Sequence, residues 1–315
     1  MGRRVAYVLV FVGLFLVFFS LLLRFYAYPR LQKAPLNQYS QPVATGTGTY
    51  FDISHLKEVT GQLQNIRTVK GVPKSGNQRT AVWDSFQVTK DLGTGGVIDA
   101  IQERIALDRV TAESRNCCGD QPRHEGLTLK FPFSTKKVTY PFWDSRAQRA
   151  FPAVFAGEER LQGVDVYRFE QHFSGVRLRD LDVSGQQAGQ PDVATVPATL
   201  VYSNDRTLWV EPRSGIIVKG SENQSQIVQT EDGRPVLTGF RGQLTWDDAT
   251  VRKMAHDAKA AASQLRMGET TLPVGALVLG IVLTVLGVVL TARQASRPQQ
   301  PSVPDTESTR PADAL

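Results

Sequence analysis

The residues that could do chemistry are few. The chain carries two cysteines and four histidines, and the cysteines are adjacent, Cys117 and Cys118, within Asn116-Cys117-Cys118-Gly119-Asp120. In an oxidising compartment such neighbours can close a vicinal disulfide, whose small ring forces a tight turn, or each can remain a thiol. Redox catalysis uses a C-x-x-C spacing at a helix start, which this chain lacks, so the pair reads as a turn staple in preference to a redox switch. His55, His124, His172 and His256 fall in no metal-ligand spacing, and His124-Glu125 is only the first half of H-E-x-x-H. There is no G-x-S-x-G elbow, phosphate-binding loop or dinucleotide fingerprint. The expectation is a non-enzymatic protein with no catalytic residue, no metal and no cofactor.

A second dense stretch runs from Lys130 to Asp144. Phe131, Phe133, Tyr140, Phe142, Trp143 and Asp144, interleaved with proline, suggest either a ligand-facing wall or a packed loop that closes the core. Loop packing is the simpler reading. Trp209-Val210-Glu211-Pro212 followed by Ser214-Gly215 reads as a strand ending in a turn.

These groups must be positioned by elements whose pattern changes along the chain. Over 34–247 the signals are those of strands and turns. Tyr167, Phe169 and Phe173 alternate with Arg168, Glu170 and His172, the two-residue period of a half-buried strand, and Val82, Phe86 and Val88 alternate around Asp84. Ser203-Asn204-Asp205-Arg206 between Leu200–Tyr202 and Leu208–Val210, and Glu231-Asp232-Gly233 before Val236–Phe240, read as hairpin turns. The fold class expected is a mainly β domain, an antiparallel sheet, sandwich or partly closed barrel, flanked by one transmembrane α-helix at each terminus. Over 248–271, Val251, Met254, Ala255, Ala258, Ala261, Ala262 and Leu265 recur at helical spacing; this reads as an amphipathic helix, most simply a stalk.

Two apolar runs bracket this region. Val5–Leu23 is interrupted only by Tyr7, Gly13 and Ser20, and at ~1.5 Å per residue a helix of that length approaches a bilayer's hydrocarbon thickness of about 30 Å. The Leu23–Pro29 stretch offers no small-x-small cleavage site, so an uncleaved anchor is preferred over a signal peptide. Leu272–Leu290 carries only Thr284 as a polar side chain. Its Ala276, Gly280, Thr284 and Gly287 lie near one face and would let another helix approach closely. The organisation expected is thus a cytoplasmic N-terminus over 1–4, a transmembrane helix over 5–23, a membrane-proximal linker over 24–33 and an extracytoplasmic domain over 34–247. A stalk over 248–271, a second span over 272–290 and a disordered cytoplasmic tail over 291–315 follow. Flanking Lys and Arg nearly balance across both spans, so placing both termini in the cytoplasm rests on export of a large domain behind a signal-like helix.

The net charge of +6 is spread rather than gathered into a stripe, which gives no support to a nucleic-acid partner. The implied partner is the lipid bilayer, with an envelope lipid or glycan as candidate ligand and self-association through the spans as a further possibility.

The sequence resembles an actinobacterial family of uncharacterised membrane proteins, also named the porin PorA family. The resemblance rests on Asn116-Cys117-Cys118-Gly119, His124-Glu125-Gly126-Leu127, Phe131-Pro132-Phe133, Lys136-Lys137, Tyr140-Pro141-Phe142-Trp143-Asp144, Gly163-Val164 with Tyr167, and Trp209-Val210-Glu211-Pro212, together with the end helices. It spans nearly the whole chain and implies channel formation in a bacterial envelope. From the residues alone, neither span holds the charged or polar groups that usually line an ion path. The first reading is therefore an anchored envelope protein in the bacterial cytoplasmic membrane whose exported domain binds or transfers a lipid, glycan or protein. Channel formation is the alternative, and an envelope hydrolase a third.

Overall fold

The computed structural model describes residues 2–295. It divides into two compact units, one made from the two terminal helical segments and the other from Arg30–Met267.

The larger unit is a single antiparallel sheet. Among the described residues its strands are β1 (Tyr39–Ser40), β2 (Val43–Asp52), β3 (Lys57–Gly71), β4 (Thr80–Asp91), β5 (Val97–Asp108), β6 (Tyr140–Asp144), β7 (Arg149–Leu161), β8 (Val164–Ser184), β9 (Thr195–Glu211), β10 (Ile216–Thr230) and β11 (Pro235–Trp246). They lie in the order β5-β4-β3-β2-β11-β10-β9-β8-β7-β6, with β1 added to β3. Register shifts in β7, β8 and β10 mark bulges that bend and twist the sheet.

The sheet curls until β5 and β6, the two ends of that path, meet. No ladder joins them. The segment 113–127 lies between, bridging to β5 at Leu107 with Ser114 and at Arg104 with Gln121, and to β6 at Leu127 with Phe142. Across the same seam the Trp143 indole and the Ser145 hydroxyl donate to the Glu103 carboxylate at 3.0 and 2.7 Å, and Arg146 pairs with Asp99.

Two sequence expectations are corrected here. Ser203–Arg206 is no turn: it lies inside the continuous strand β9, whose Tyr202, Asn204, Arg206, Leu208 and Val210 are all buried. Polar residues persist in this strand because the concave face supplies their partners. In β4 the buried phase is Trp83, Ser85, Thr89 and Asp91, whereas Phe86 is 46% exposed. The inward face of that strand is largely polar, so of the apolar alternation Val82 is a core residue and Val88 half-buried, while Phe86 lies on the exposed side. Tyr167, Phe169 and Phe173 of β8 do face the core side, and Glu231–Gly233 does form the turn from β10 to β11.

The convex face is polar as well. Thr47 of β2, Thr60 and Gln62 of β3, Arg241 and Gln243 of β11 and Asn223 of β10 are exposed. A strand that crosses a bilayer turns apolar residues outward, so these strands face water.

Helix α3 (Asp248–Arg266) starts at Asp247, whose carboxylate accepts from the Thr250 amide at 2.7 Å. It buries Val251, Ala255 and Ala258, the last two against Val164, Val166 and Val218 of the sheet. The helix's apolar stripe therefore has a docking surface on β8 and β10.

In the other unit, α1 (Gly2–Leu22) continues through a π-helical turn, Leu23–Ala27, into the short α2 (Tyr28–Leu31); a second such turn, Met267–Thr271, precedes α4 (Leu272–Ala295). The linker expected over 24–33 is therefore helical as far as Leu31. Of the tail expected to be disordered, 291–295 belong to α4 and 296–315 lie outside the described residues.

Helices α1 and α4 pack at glycine contacts. A Cβ on Gly280 would stand 2.7 Å from the Gly13 carbonyl oxygen, and one on Gly287 would stand 2.8 Å from that of Ala6. Ser20 donates to the Pro273 carbonyl at 2.7 Å, and Arg24 pairs with Glu269 at 3.3 Å. The faces turned away from this contact are apolar, with Phe11 and Phe18 at 73% and 70% exposed.

Candidate functional site

The concave face of the sheet carries a belt of charged and amide side chains centred on Arg206. Each is set there by the two-residue period of its strand: Gln171 on β8, Arg206 and Asn204 on β9, Glu222 and Gln224 on β10. The Arg206 guanidinium, 6% exposed, donates to Glu222 at 2.8 Å, to Gln171 at 2.7 Å, to Asp144 at 2.8 Å and to the Trp143 carbonyl at 3.2 Å. Tyr202 donates to the same Asp144 carboxylate at 3.2 Å. Gln171 passes its amide hydrogens to the carbonyls of Phe142 and Phe151.

The electrostatics follow from this enclosure. Burial works against a charged Glu222, but the facing Arg206 outweighs it and holds the carboxylate down to about 2. Burial, joined by Asp144, pushes the Tyr202 phenol well above its usual value. The belt thus holds fixed charges in a packed setting, where each depends on its neighbours.

A second cluster sits at the seam. The His124 ring, 1% exposed, lies 2.8 Å from Asp120 through Nδ1 and 3.4 Å from Glu103 through Nε2, with the Trp143 ring centroid 4.8 Å away. Burial alone would lower its pKa; the Glu103 and Asp120 carboxylates raise it instead. Glu103 is likewise held down against its own burial by His124, Ser145 and Trp143.

Of the residues singled out in the sequence, Cys117 and Cys118 are bonded to each other at an exposed turn, with Cys118 and Gly119 at φ 62° and 83°. Phe131 is fully buried and its ring stacks on Phe142 and Phe169 at 5.5 and 4.6 Å, with Tyr140 edge-on at 5.5 Å. Phe133, half-buried, lies under the Lys130 ammonium at 4.1 Å. Trp143 and Asp144 reach the seam and the belt, so this stretch is packed core joined to a polar network. Gly280, Thr284 and Gly287 lie on the face of α4 that meets α1, and Ala276, one turn before Gly280, is half-buried.

Arg206, Glu222, Gln171, Tyr202, Glu103, Asp120 and Lys130 were not among the candidate site residues of the sequence. Lys130 is buried and donates to the carbonyls of Phe131 and Ser214 at 2.6 and 3.0 Å, and burial lowers its amine to about 7. The one available signal was phase: Asn204 and Arg206 share the parity of Tyr202 and Leu208.

Fold and site together define a class: a two-pass membrane protein with a curled, mainly β domain whose concave face is polar. The family model for Porin PorA matches residues 5–289, covering both spans and the whole sheet, and the chain belongs to that family. It is similar to a Porin PorA of Corynebacterium amycolatum, 25% identical over 364 aligned residues that cover 87% of this chain and 94% of that protein. A Porin PorA of Corynebacterium resistens is 24% identical over 258 aligned residues, covering 56% of this chain and 62% of the relative. Membership sets the chain among non-enzymatic, transport-type proteins.

Proposed function

We propose that this protein forms a channel-type path for a hydrophilic solute in a bacterial envelope. The observation that carries the proposal is that the family match runs through both helices and the sheet without confining itself to either. The convex strands face water, so the bilayer is crossed by α1 and α4, and the path through it requires several copies. In the working topology both termini are cytoplasmic and the sheet domain, about 34–247, is extracytoplasmic.

A second reading, binding or transfer of an envelope lipid, glycan or protein by the sheet domain, is favoured by the apolar outward faces of the spans, which suit anchors. Reconstitution of the full chain into planar bilayers separates the two. Stepwise conductance supports the channel; its absence at high protein excess, with lipid co-purifying in an organic extract, overturns it in favour of binding. For topology, a Ser54→Cys variant placed at the exposed β2–β3 turn is expected to react with a membrane-impermeant maleimide on intact spheroplasts, and protection until lysis would reverse the orientation.

A further inference from the structure

We propose that the Cys117–Cys118 disulfide is a reducible latch that holds the seam between β5 and β6 shut. No ladder joins the end strands of the sheet; the segment 113–127 does so, and the disulfide stands at the outer turn of that segment.

The contacts form a continuous chain from the disulfide to both strands. The Asp120 amide donates to the Cys117 carbonyl at 3.0 Å, which fixes Asp120 relative to the cysteine pair. The Asp120 carboxylate then accepts from the Ala106 amide of β5 at 2.9 Å and from the His124 amide at 3.0 Å, besides its contact with the His124 ring. Gln121 and Arg104 exchange both backbone hydrogen bonds at 2.8 Å, and the Arg115 amide donates to Ala106 at 2.7 Å. His124 faces Glu103 of β5, and Glu103 holds Trp143 and Ser145 on the other side of the seam. Leu127, at the end of the segment, donates to the Pro141 carbonyl and accepts from the Trp143 amide at 2.8 and 2.7 Å.

The bonds that Asp120, Gln121 and His124 make to β5 therefore lie just beyond a turn in which Cys118, a residue with a Cβ, is held at φ 62°, whereas those of Glu113 and Arg115 precede it. A left-handed conformation is unfavourable at a residue with a Cβ, and the closed ring restrains the turn that contains it. Both cysteines are exposed, so a soluble thiol can reach the bond. Attack by one thiolate of a dithiol on one sulfur, followed by attack of its second thiolate on the mixed disulfide, leaves two cysteine thiols and the oxidised cyclic reagent. With the ring open the turn can relax, and the segment's hold on β5 weakens while the ladders elsewhere keep their bonds.

The chain has no other cysteine, which makes the test specific. Full-length protein in detergent is treated with excess dithiothreitol, thiols released are counted by alkylation, and amide hydrogen exchange is followed. Reduction should release both thiols and speed exchange at Arg104, Gln121, Leu127 and Trp143 by about tenfold, with the β10–β11 ladder unchanged. A folded Cys117→Ser/Cys118→Ser variant should show the faster seam exchange without reductant and no response to it. Unchanged seam exchange after complete reduction, an equal rise across the whole sheet, or alkylation of both cysteines before any reductant is added would each overturn the latch.

Discussion

Arg206 is a guanidinium in a place water barely reaches, held by Asp144, Glu222 and Gln171 at hydrogen-bonding distance. Removing it leaves two carboxylates unpaired, so Arg206→Met should destabilise the sheet domain by about 3–5 kcal/mol in denaturant titrations. Glu222 has its folded pKa depressed to about 2 from an ordinary 4.5, so its contribution is present above the ordinary range and disappears as pH falls through about 2. The difference in unfolding midpoint between the native chain and Glu222→Gln should accordingly shrink between pH 5 and pH 2. His124 has the opposite sign. Its folded pKa is raised above 6.5, so its contribution is complete below that value and is lost as pH climbs through the raised folded value. The midpoint difference between native and His124→Gln should be flat in mild acid and decay on the alkaline side; a difference that grows with pH would contradict the pairing with Glu103 and Asp120.

At the scale of elements, the helix pair and the docked helix α3 each rest on small residues at contacts. Gly280 faces the Gly13 carbonyl and the Val17 backbone nitrogen, so Gly280→Leu forces apart helices that approach at backbone distance. A loss of about 1–3 kcal/mol is expected, with a lower thermal midpoint in detergent. The same small-residue face that suggested contact with another helix is filled by α1 of this chain, which leaves apolar, Phe-rich faces for lipid or for neighbouring copies. On α3, Ala258 is fully buried against Val164, Val166 and Val218. Ala258→Glu should release the helix from the sheet, seen as rapid amide exchange along α3 while the β9–β10 ladder stays protected.

At the scale of the whole molecule, the curled sheet carries polar residues on its convex face and the two terminal helices carry the apolar outward faces suited to a bilayer. The spans and the presence of a mainly β domain between them were legible from the sequence. Long apolar runs have one stable placement, because unsatisfied backbone groups in hydrocarbon must be avoided. The alternation in Val164–Phe173 was legible for a similar reason, since aromatic residues at every second position bury one face of a strand. Ser203–Arg206 misled because Asn and Asp between apolar segments are the commonest mark of a turn. The inward partners, Glu222 from β10 for Asn204 and Arg206 and Asp144 from β6 for Arg206, come from other strands.

Sequence by itself thus determined the membrane spans, the β-rich class, the amphipathic segment that became α3 and the adjacent cysteines, all properties carried by local composition and period. Tertiary structure alone decided the strand order, the closure of β5 against β6 through 113–127 and the assembly of Arg206, Asp144, Glu222 and Gln171 into one belt. The physical reason is that hydrogen bonds and ion pairs between residues far apart in the chain leave no mark on local pattern; a buried arginine and a solvated one read the same until the sheet curls around it.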